Sequence, residues 1–210
     1  MVRLYLSTVG LRNAVLWGLG SGLLMWHTGP LPLSRVGDAW SLRFYGLLSL
    51  ISSAVLLWSR YYIDADPHFR RFLALVIAFV MSMILVIFLS TLYGCLIGWD
   101  GLGVTSFLLV LYYKNRKALG GGLLTALSNR VGDACLLALL GLTLHSVHAR
   151  YLPLVLLIVT ACTKSAQYPF RRWLPAAIAA PTPASALVHS STLVTAGIYL
   201  LLRFNHQGTE

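Results

Sequence analysis

The chain contains apolar stretches that are too long for a soluble domain. From Phe72 to Tyr113 it carries a single formally charged side chain, Asp100. A membrane-spanning helix needs about 20 mostly apolar residues, so this stretch alone has room for two helices joined by a tight turn. Hydrophobic residues make up 58% of the 210 residues and charged residues 10%, whereas an average soluble domain has about 25% charged residues. The sequence therefore predicts an all-α, polytopic transmembrane bundle, and its composition excludes disordered, collagen-like and disulfide-scaffold chains.

Charged and turn-forming clusters divide the apolar sequence into seven predicted spans. They cover about residues 10–27, 42–59, 70–90, 94–113, 119–144, 152–169 and 184–203. Because proline frees backbone carbonyls, Pro175, Pro181 and Pro183 are expected to interrupt the chain ahead of the last span, as in the broken helices of ion-transporting proteins.

The net charge of +10 comes from basic residues that lie mainly between the apolar runs. This placement is typical of topology signals and lipid headgroup contacts rather than of nucleic-acid binding. One face of the predicted bundle carries ten of them: Arg3, Arg12, Arg60, Arg70, Arg71, Lys114, Arg116, Lys117, Arg171 and Arg172. The other face carries four: Arg35, Arg43, Arg150 and Arg203. The positive-inside rule therefore predicts the N-terminus and the richer face on the cytoplasm-like or matrix side.

No metal site is expected. The three cysteines, Cys95, Cys135 and Cys162, each lie inside an apolar segment, and their spacing matches no metal-binding motif. They are expected to pack as small buried hydrophobic side chains.

Ionisable residues inside the predicted spans are the candidate functional groups, because even insertion scales assign roughly 2.5–3.5 kcal/mol to Asp, Lys or Arg at a helix centre. Asp100 lies among glycines that permit close helix packing; a surface turn is the alternative. Arg130 and Asp133 are three residues apart on one predicted helix, so they can form an ion pair. A structural pair and a role in conduction are equally open for them.

Lys164 and His189 complete the set. Lysine can release its proton when it is desolvated, as a proton relay requires; the alternative for Lys164 is snorkelling to the nearer interface. Histidine passes protons near neutral pH, but a lone histidine can equally be a hydrogen-bonded packing residue. Four successive spans thus carry an acid, an acid–arginine pair, a lysine and a histidine, which favours a proton or cation path.

Three segments that contain these residues resemble mitochondrial NADH dehydrogenase subunit 5, a family of antiporter-like subunits of respiratory complex I. They run from Gly98 through Asp100 to Leu109, from Asn129 to Asp133, and from Thr163 through Trp173 and His189 to Gly197. The resemblance implies two inverted five-helix repeats in the family, each with a broken helix. It assigns the key acid to Asp100, where many members have Glu, the second acid to Asp133, the channel lysine to Lys164 and the relay histidine to His189.

The resemblance also sets the expected organisation. Residues 1–68 would form N-terminal helices and an interfacial loop, and residues 69–210 the first proton-channel repeat. The function implied is proton translocation in the mitochondrial inner membrane, coupled to NADH oxidation and quinone reduction. This chain would hold no cofactor; NADH, flavin, iron–sulfur clusters and quinone would lie in other subunits.

The chain is shorter than the family's subunit and ends just past the first repeat. A split subunit with a separate chain for the other half is therefore expected; a truncated sequence is the alternative. Other membrane-arm subunits and phospholipid, cardiolipin above all, are expected as partners. Two alternatives stay open. They are a subunit of a multisubunit cation/proton antiporter, with the same charged residues but no redox role, and a non-conducting structural piece of the membrane arm.

Overall fold

The computed structural model describes Leu16 and residues 39–62, 68–89, 91–113, 115–144, 151–178, 182–187 and 192–207. Helices dominate these ranges, and no strand occurs in them. The first predicted span, residues 10–27, lies outside the described residues apart from Leu16, and so does His189.

Four long helices form the body of the described structure. They are α1 (Ala39–Tyr62), α2 (Phe69–Phe88), α3 (Leu92–Val110, extended by a 3-10 turn over Leu111–Tyr113) and α4 (Arg116–Leu144). Each is long and apolar enough to cross a membrane, and they match the second to fifth predicted spans. At about 1.5 Å per residue, even α2, the shortest with 20 residues, spans the roughly 30 Å hydrocarbon core of a bilayer.

The next helix, α5 (Leu152–Lys164), is only 13 residues long and ends earlier than the predicted boundary near Pro169. The chain leaves the helix at Ala166, whose φ of 52° lies in the left-handed region, and the Gln167 N–H donates to the Cys162 carbonyl at 3.0 Å, as in a left-handed C-terminal cap. At about 20 Å, α5 is shorter than the hydrocarbon core. Its end packs at Thr163 against Gly132, near the middle of α4, so Lys164 lies at membrane depth rather than at a surface.

The remaining described segments are short helices followed by one longer helix. They are α6 (Trp173–Ala177), α7 (Thr182–Ser185) and α8 (Leu193–Gln207). Ala186, Leu187 and Thr192 have wide π-helical winding, and the Thr192 hydroxyl donates to the Leu187 carbonyl at 2.7 Å. The predicted irregularity near the seventh span is thus present as short helical pieces and π winding.

Glycines allow the helices that carry the candidate functional residues to approach closely. A Cβ at Gly98 on α3 would lie 2.7 Å from Cγ2 of Val86 on α2, a separation that real side chains do not reach. A Cβ at Gly132 on α4 would overlap the Thr163 hydroxyl on α5. Helix α3 packs most extensively against α2, and α4 packs against both α3 and α5, so the three helices that carry the predicted charges are neighbours.

A buried polar cluster joins α8 to the C-terminal end of α2. Arg203 donates to the Ile87 carbonyl at 2.9 Å and to the Tyr199 hydroxyl at 3.1 Å. Tyr199 also donates to the Ile87 carbonyl at 3.0 Å and contacts the Ser41 hydroxyl on α1 at 2.8 Å. Arg203 was predicted to be a loop residue, but it is buried at the negative end of a helix dipole, where a cation is favoured.

Candidate functional site

Lys164 is held inside the protein against helix α3. Its side chain is fully buried, which excludes snorkelling to an interface. The ammonium Nζ donates to the backbone carbonyl of Trp99 at 3.2 Å and lies 5.1 Å from the centre of the Trp99 ring. A Cβ on Gly103 would be 3.5 Å from Nζ. The ammonium therefore sits beside a stretch of α3 where the absence of a side chain at residue 103 leaves room for it.

The end of α5 is fixed by its neighbours. The indole N–H of Trp173 on α6 donates to the Thr163 carbonyl at 2.8 Å, which satisfies one of the carbonyls left open at a helix C-terminus. On the other side, a Cβ at Gly197 would lie 2.6 Å from the Ala161 carbonyl oxygen, so α8 approaches this turn closely. Lys164 consequently projects from a turn that α6 and α8 both hold in place.

Asp100, Arg130 and Asp133 form a second charged group. Arg130 Nη1 lies 2.9 Å from Oδ1 of Asp100 on α3 and 3.5 Å from Oδ2 of Asp133 on its own helix. The i,i+3 pair expected from the sequence is therefore present, but the cross-helix pair is shorter. Asp100 lies within α3, so the surface-turn alternative does not hold. Its carboxylate reaches Arg130 rather than Lys164.

The two groups meet at Trp99. Within the described residues, no carboxylate lies within 4.0 Å of the Lys164 ammonium. Trp99, whose carbonyl accepts from the ammonium, is the residue before Asp100 on α3, and its indole N–H is buried without a hydrogen-bond partner. Lys164 and Arg130 thus contact α3 at adjacent residues, Trp99 and Asp100.

A cavity of about 220 Å³ lies beside the charged residues of α3 and α4. Asp100, Gly103, Phe107, Asn129, Arg130 and Asp133 all contribute to its wall. Within the described part of the chain, both side-chain polar atoms of Asn129, Oδ1 of Asp133 and Nε1 of Trp99 are buried without a hydrogen-bond partner. Buried polar atoms are nearly always paired with protein or ordered water, and a water occupies about 30 Å³ in the liquid. The cavity, which both acids and Arg130 line, is large enough for several water molecules.

The chain also matches a known family through these residues. Residues 89–208 match the NADH:quinone oxidoreductase/Mrp antiporter transmembrane family. The match covers more than half of the chain and includes Asp100, Arg130, Asp133, Lys164 and His189. The chain belongs to this family. It is accordingly an integral, multi-pass membrane protein, with four described helices long and apolar enough to cross a bilayer.

Two similar proteins are both named NADH-ubiquinone oxidoreductase chain 5. NADH-ubiquinone oxidoreductase chain 5 of the mosquito Anopheles quadriannulatus is 48% identical over 182 residues, which cover 80% of this chain and 69% of the mosquito sequence. Chain 5 of the earthworm Lumbricus terrestris is 46% identical over 197 residues, which cover 87% of this chain and 34% of the earthworm sequence. The resemblance to subunit 5 is therefore confirmed, and the chain spans about a third of the length of the earthworm relative.

A solved structure from the same family has the same helix arrangement. The Mrp complex from Dietzia sp. DQ12-45-1b contains a chain that superimposes with a TM-score of 0.80 at 26% sequence identity. The superposition covers 91% of this chain and 25% of the matched chain. The all-α, antiporter-like bundle predicted from the sequence is confirmed.

Sequence reasoning missed Trp99 and Asn129 as members of the site. Trp99 contributes a backbone carbonyl, and a backbone acceptor leaves no trace in the sequence. Asn129 had a usable signal, since a buried amide one residue before an intramembrane arginine needs a polar partner. His189 lies outside the described residues, so its predicted relay role stays a prediction. Among the described residues, no group of three or more His, Cys, Asp and Glu side chains is placed to bind a metal ion.

Proposed function

We propose that this chain is a proton-translocating membrane subunit of respiratory complex I in the mitochondrial inner membrane. Its identity with proteins named NADH-ubiquinone oxidoreductase chain 5 supports this assignment. Residues 69–210, which contain the family match, would form the conducting repeat. NADH, flavin, iron–sulfur clusters and quinone would be held by other subunits, and this chain would contribute a proton path built from its own side chains.

The complete burial of Lys164 against α3, one residue away from the Asp100–Arg130 ion pair, is the observation that carries the proposal. A lysine is a strongly hydrated cation, and its complete burial at membrane depth is costly unless nearby groups compensate. Here the Trp99 carbonyl and the Trp99 ring contact the ammonium, and both acids of the site lie more than 4.0 Å from it. A purely structural cation would be expected in direct contact with a carboxylate. A base that must both hold and release a proton needs carboxylates that are near it but not in direct contact.

Movement of a carboxylate relative to Lys164 would switch the lysine. Two unit charges brought to about 4 Å attract by roughly 4 kcal/mol at an effective dielectric near 20, which corresponds to about a thousandfold change in an equilibrium. When an acid approaches, the ammonium form is stabilised and the lysine retains its proton. When the acid withdraws to Arg130, burial favours the neutral amine and the proton leaves.

Arg130 is placed to control that movement. It pairs with Asp100 and Asp133 at the same time, so a shift of the guanidinium toward one acid frees the other. Water in the cavity beside Asn129 would carry the proton between these groups, and His189 would receive the proton that leaves Lys164. The two acids, the lysine and the histidine would then form one chain of proton-transfer groups.

Other protein is expected to cover the Asp100–Arg130 pair. In the isolated chain the Arg130 side chain is 60% exposed and the Asp100 side chain 47% exposed, although both lie within membrane-spanning helices. Exposed charges at that depth face protein or water rather than lipid. We propose that a further membrane-arm subunit, or the sequence corresponding to the rest of the relatives' length, covers this face. That sequence would lie on a separate chain if the subunit is split. Anionic phospholipid such as cardiolipin is expected along the basic surface.

Replacement of Lys164 in the assembled complex tests the proposal. Lys164→Met keeps the apolar stem and removes the proton-binding group, and Lys164→Arg keeps a charge that does not readily release its proton. Both variants should assemble and oxidise NADH, but they should translocate fewer protons per electron in liposomes than the wild type. Lys117→Met, at an exposed position at the start of α4, is the matched control. Unchanged proton-to-electron ratios in both Lys164 variants would leave only the non-conducting structural role.

The similarity to the Mrp complex keeps a cation/proton antiporter subunit as the second candidate. The two functions differ in their energy source. A complex I subunit moves protons only while NADH is oxidised, whereas an antiporter exchanges cations for protons down either gradient without a redox substrate. Cation-driven proton exchange in NADH-free vesicles that is lost in Lys164→Met would favour the antiporter.

A further inference from the structure

Gly103 on α3 borders both the polar cavity and the buried lysine. It forms part of the cavity wall together with Asn129 and Asp133. The same residue adjoins Lys164, because a Cβ built on Gly103 would be 3.5 Å from the ammonium Nζ. Lys164 itself does not line the cavity. Any water that passes between the cavity and the ammonium at this point therefore passes Gly103.

Neither the backbone nor close packing requires a glycine at residue 103. Gly103 lies in the interior of α3 and has no positive φ, and glycine destabilises a helix interior relative to alanine. A Cβ at Gly101 would lie 2.8 Å from the Ser82 hydroxyl on α2. Among the described residues, a Cβ at Gly103 would instead have only Nζ of Lys164 within 4 Å beyond the local helix backbone. The missing side chain thus leaves open space in front of the ammonium.

Buried polar atoms near this space need hydrogen-bond partners. Within the described part of the chain, the indole Nε1 of Trp99 is buried without a partner, and so are both polar atoms of Asn129 in the cavity wall. Trp99 and Gly103 are four residues apart, so they lie on one face of α3. Buried polar groups are nearly always paired with protein or with ordered water. Water that fills the cavity and the space at Gly103 would satisfy the indole N–H and reach the ammonium.

We propose that the absence of a side chain at Gly103 connects water in the cavity to Lys164 and Trp99, and that the lysine exchanges its proton with this water. The ammonium donates a proton to a water molecule at Gly103 and becomes a neutral amine, and the reverse transfer restores it. Gly103 is a positioning residue, because it acts on Lys164 through water. The proton exchange rests on the function proposed for Lys164, whereas the water contact does not.

Radiolytic footprinting of the intact complex tests the water contact. Hydroxyl radicals formed from bound water modify aromatic side chains next to it, so Trp99 and Phe107, which lines the cavity, should both be modified in the wild type. Gly103→Ala should keep the modification of Phe107 and lose most of that at Trp99. Gly141→Ala, which adds a methyl group in open space on α4, should change neither. Phe79, fully buried on α2 and outside the cavity wall, gives the background.

Serine at residue 103 separates a loss of water from simple crowding. Serine is larger than alanine, but its hydroxyl both donates and accepts hydrogen bonds and can replace the displaced water. Gly103→Ala should lower the proton-to-electron ratio in liposomes while NADH oxidation continues, and Gly103→Ser should recover part of the loss. A lower ratio in Gly103→Ser than in Gly103→Ala would show crowding alone and would overturn the proton exchange.

The two measurements distinguish the water contact from the function proposed for Lys164. Retained modification of Trp99 in Gly103→Ala would overturn the water contact, whatever Lys164→Met does to the proton-to-electron ratio. Loss of the Trp99 modification with a wild-type ratio in Gly103→Ala would overturn the place of this water in the proton path. A wild-type ratio in Lys164→Met, with the Trp99 modification lost in Gly103→Ala, would overturn the function of the lysine and the proton exchange but not the water contact.

Discussion

Arg130 joins two helices by an ion pair with Asp100, in which Nη1 and Oδ1 are 2.9 Å apart. The same guanidinium also lies 3.5 Å from Asp133, so one cation serves two carboxylates. Its removal would leave two neighbouring acids with no cation in direct contact, and their mutual repulsion would act inside a membrane-spanning bundle.

Because one arginine serves both acids, the loss of stability on replacing Arg130 should depend strongly on whether Asp100 is present. Arg130→Gln should lower the thermal stability of the assembled complex, and addition of Asp100→Asn should restore part of the loss. The coupling energy from the double-mutant cycle should exceed about 0.5 kcal/mol, the usual limit for independent sites. Unfolding of the subunit can be followed by its release from the complex on heating. Simple additivity of the two losses would contradict the shared ion pair.

Asp133 and Asp100 are predicted to contribute unequally to proton transfer. Because Arg130 lies closer to Asp100, at 2.9 Å, than to Asp133, at 3.5 Å, Asp133 is the acid held less tightly, and Asp133→Asn should reduce the proton-to-electron ratio more than Asp100→Asn does. The two substitutions remove the same charge and keep the same side-chain shape, so each controls for the other. A larger loss in Asp100→Asn would restore the hypothesis, drawn from the sequence, that Asp100 is the main partner of Lys164.

Close packing at Gly132 is expected to be essential. A Cβ at this position would overlap the Thr163 hydroxyl, so Gly132→Ala must push α5 away from α4 and displace the turn that carries Lys164. Overpacking of this kind costs about 1–3 kcal/mol, which should be visible as reduced assembly or a lower melting temperature. Gly141→Ala is the control on the same helix, because open space surrounds that position. Equal behaviour of the two variants would contradict the packing described for α4 and α5.

The sequence predicted the helices more completely than the contacts between them. The boundaries of α1 to α4 follow from the length of apolar runs, and the Arg130–Asp133 pair follows from their spacing on one helix. The Asp100–Arg130 pair has no such local signal, because it depends on how α3 and α4 pack. The same holds for the Trp99 carbonyl, since every residue offers an identical backbone acceptor and only the tertiary fold selects this one.

Two further differences have identifiable physical causes. Helix α5 ends at Lys164, before the predicted boundary at Pro169, because Ala166 adopts a left-handed conformation, which the sequence does not signal since alanine rarely takes it. Arg203 was placed in a loop because it stands near the end of an apolar run. The structure buries it, since the carbonyls at the C-terminal end of α2 and the Tyr199 hydroxyl satisfy its guanidinium. An arginine near the end of a span therefore does not by itself mark a loop.

The orientation in the membrane is the last prediction. Burial of Arg203 leaves Arg35, Arg43 and Arg150 as the basic residues of the poorer face. The predicted difference in positive charge between the two membrane faces therefore becomes larger. Arg116 is exposed at the start of α4, and Tyr93 is exposed in the first turn of α3, so the two positions lie at opposite ends of neighbouring helices. The positive-inside rule places residue 116 on the matrix side.

Cysteines introduced at these two positions should report opposite sides. In inverted inner-membrane vesicles, whose matrix face is outward, a membrane-impermeant maleimide should label Arg116→Cys directly and Tyr93→Cys only after the vesicles are permeabilised. The three native cysteines are buried or partly buried within helices, so the unsubstituted chain gives the background. Direct labelling of Tyr93→Cys, with Arg116→Cys protected, would reverse the orientation.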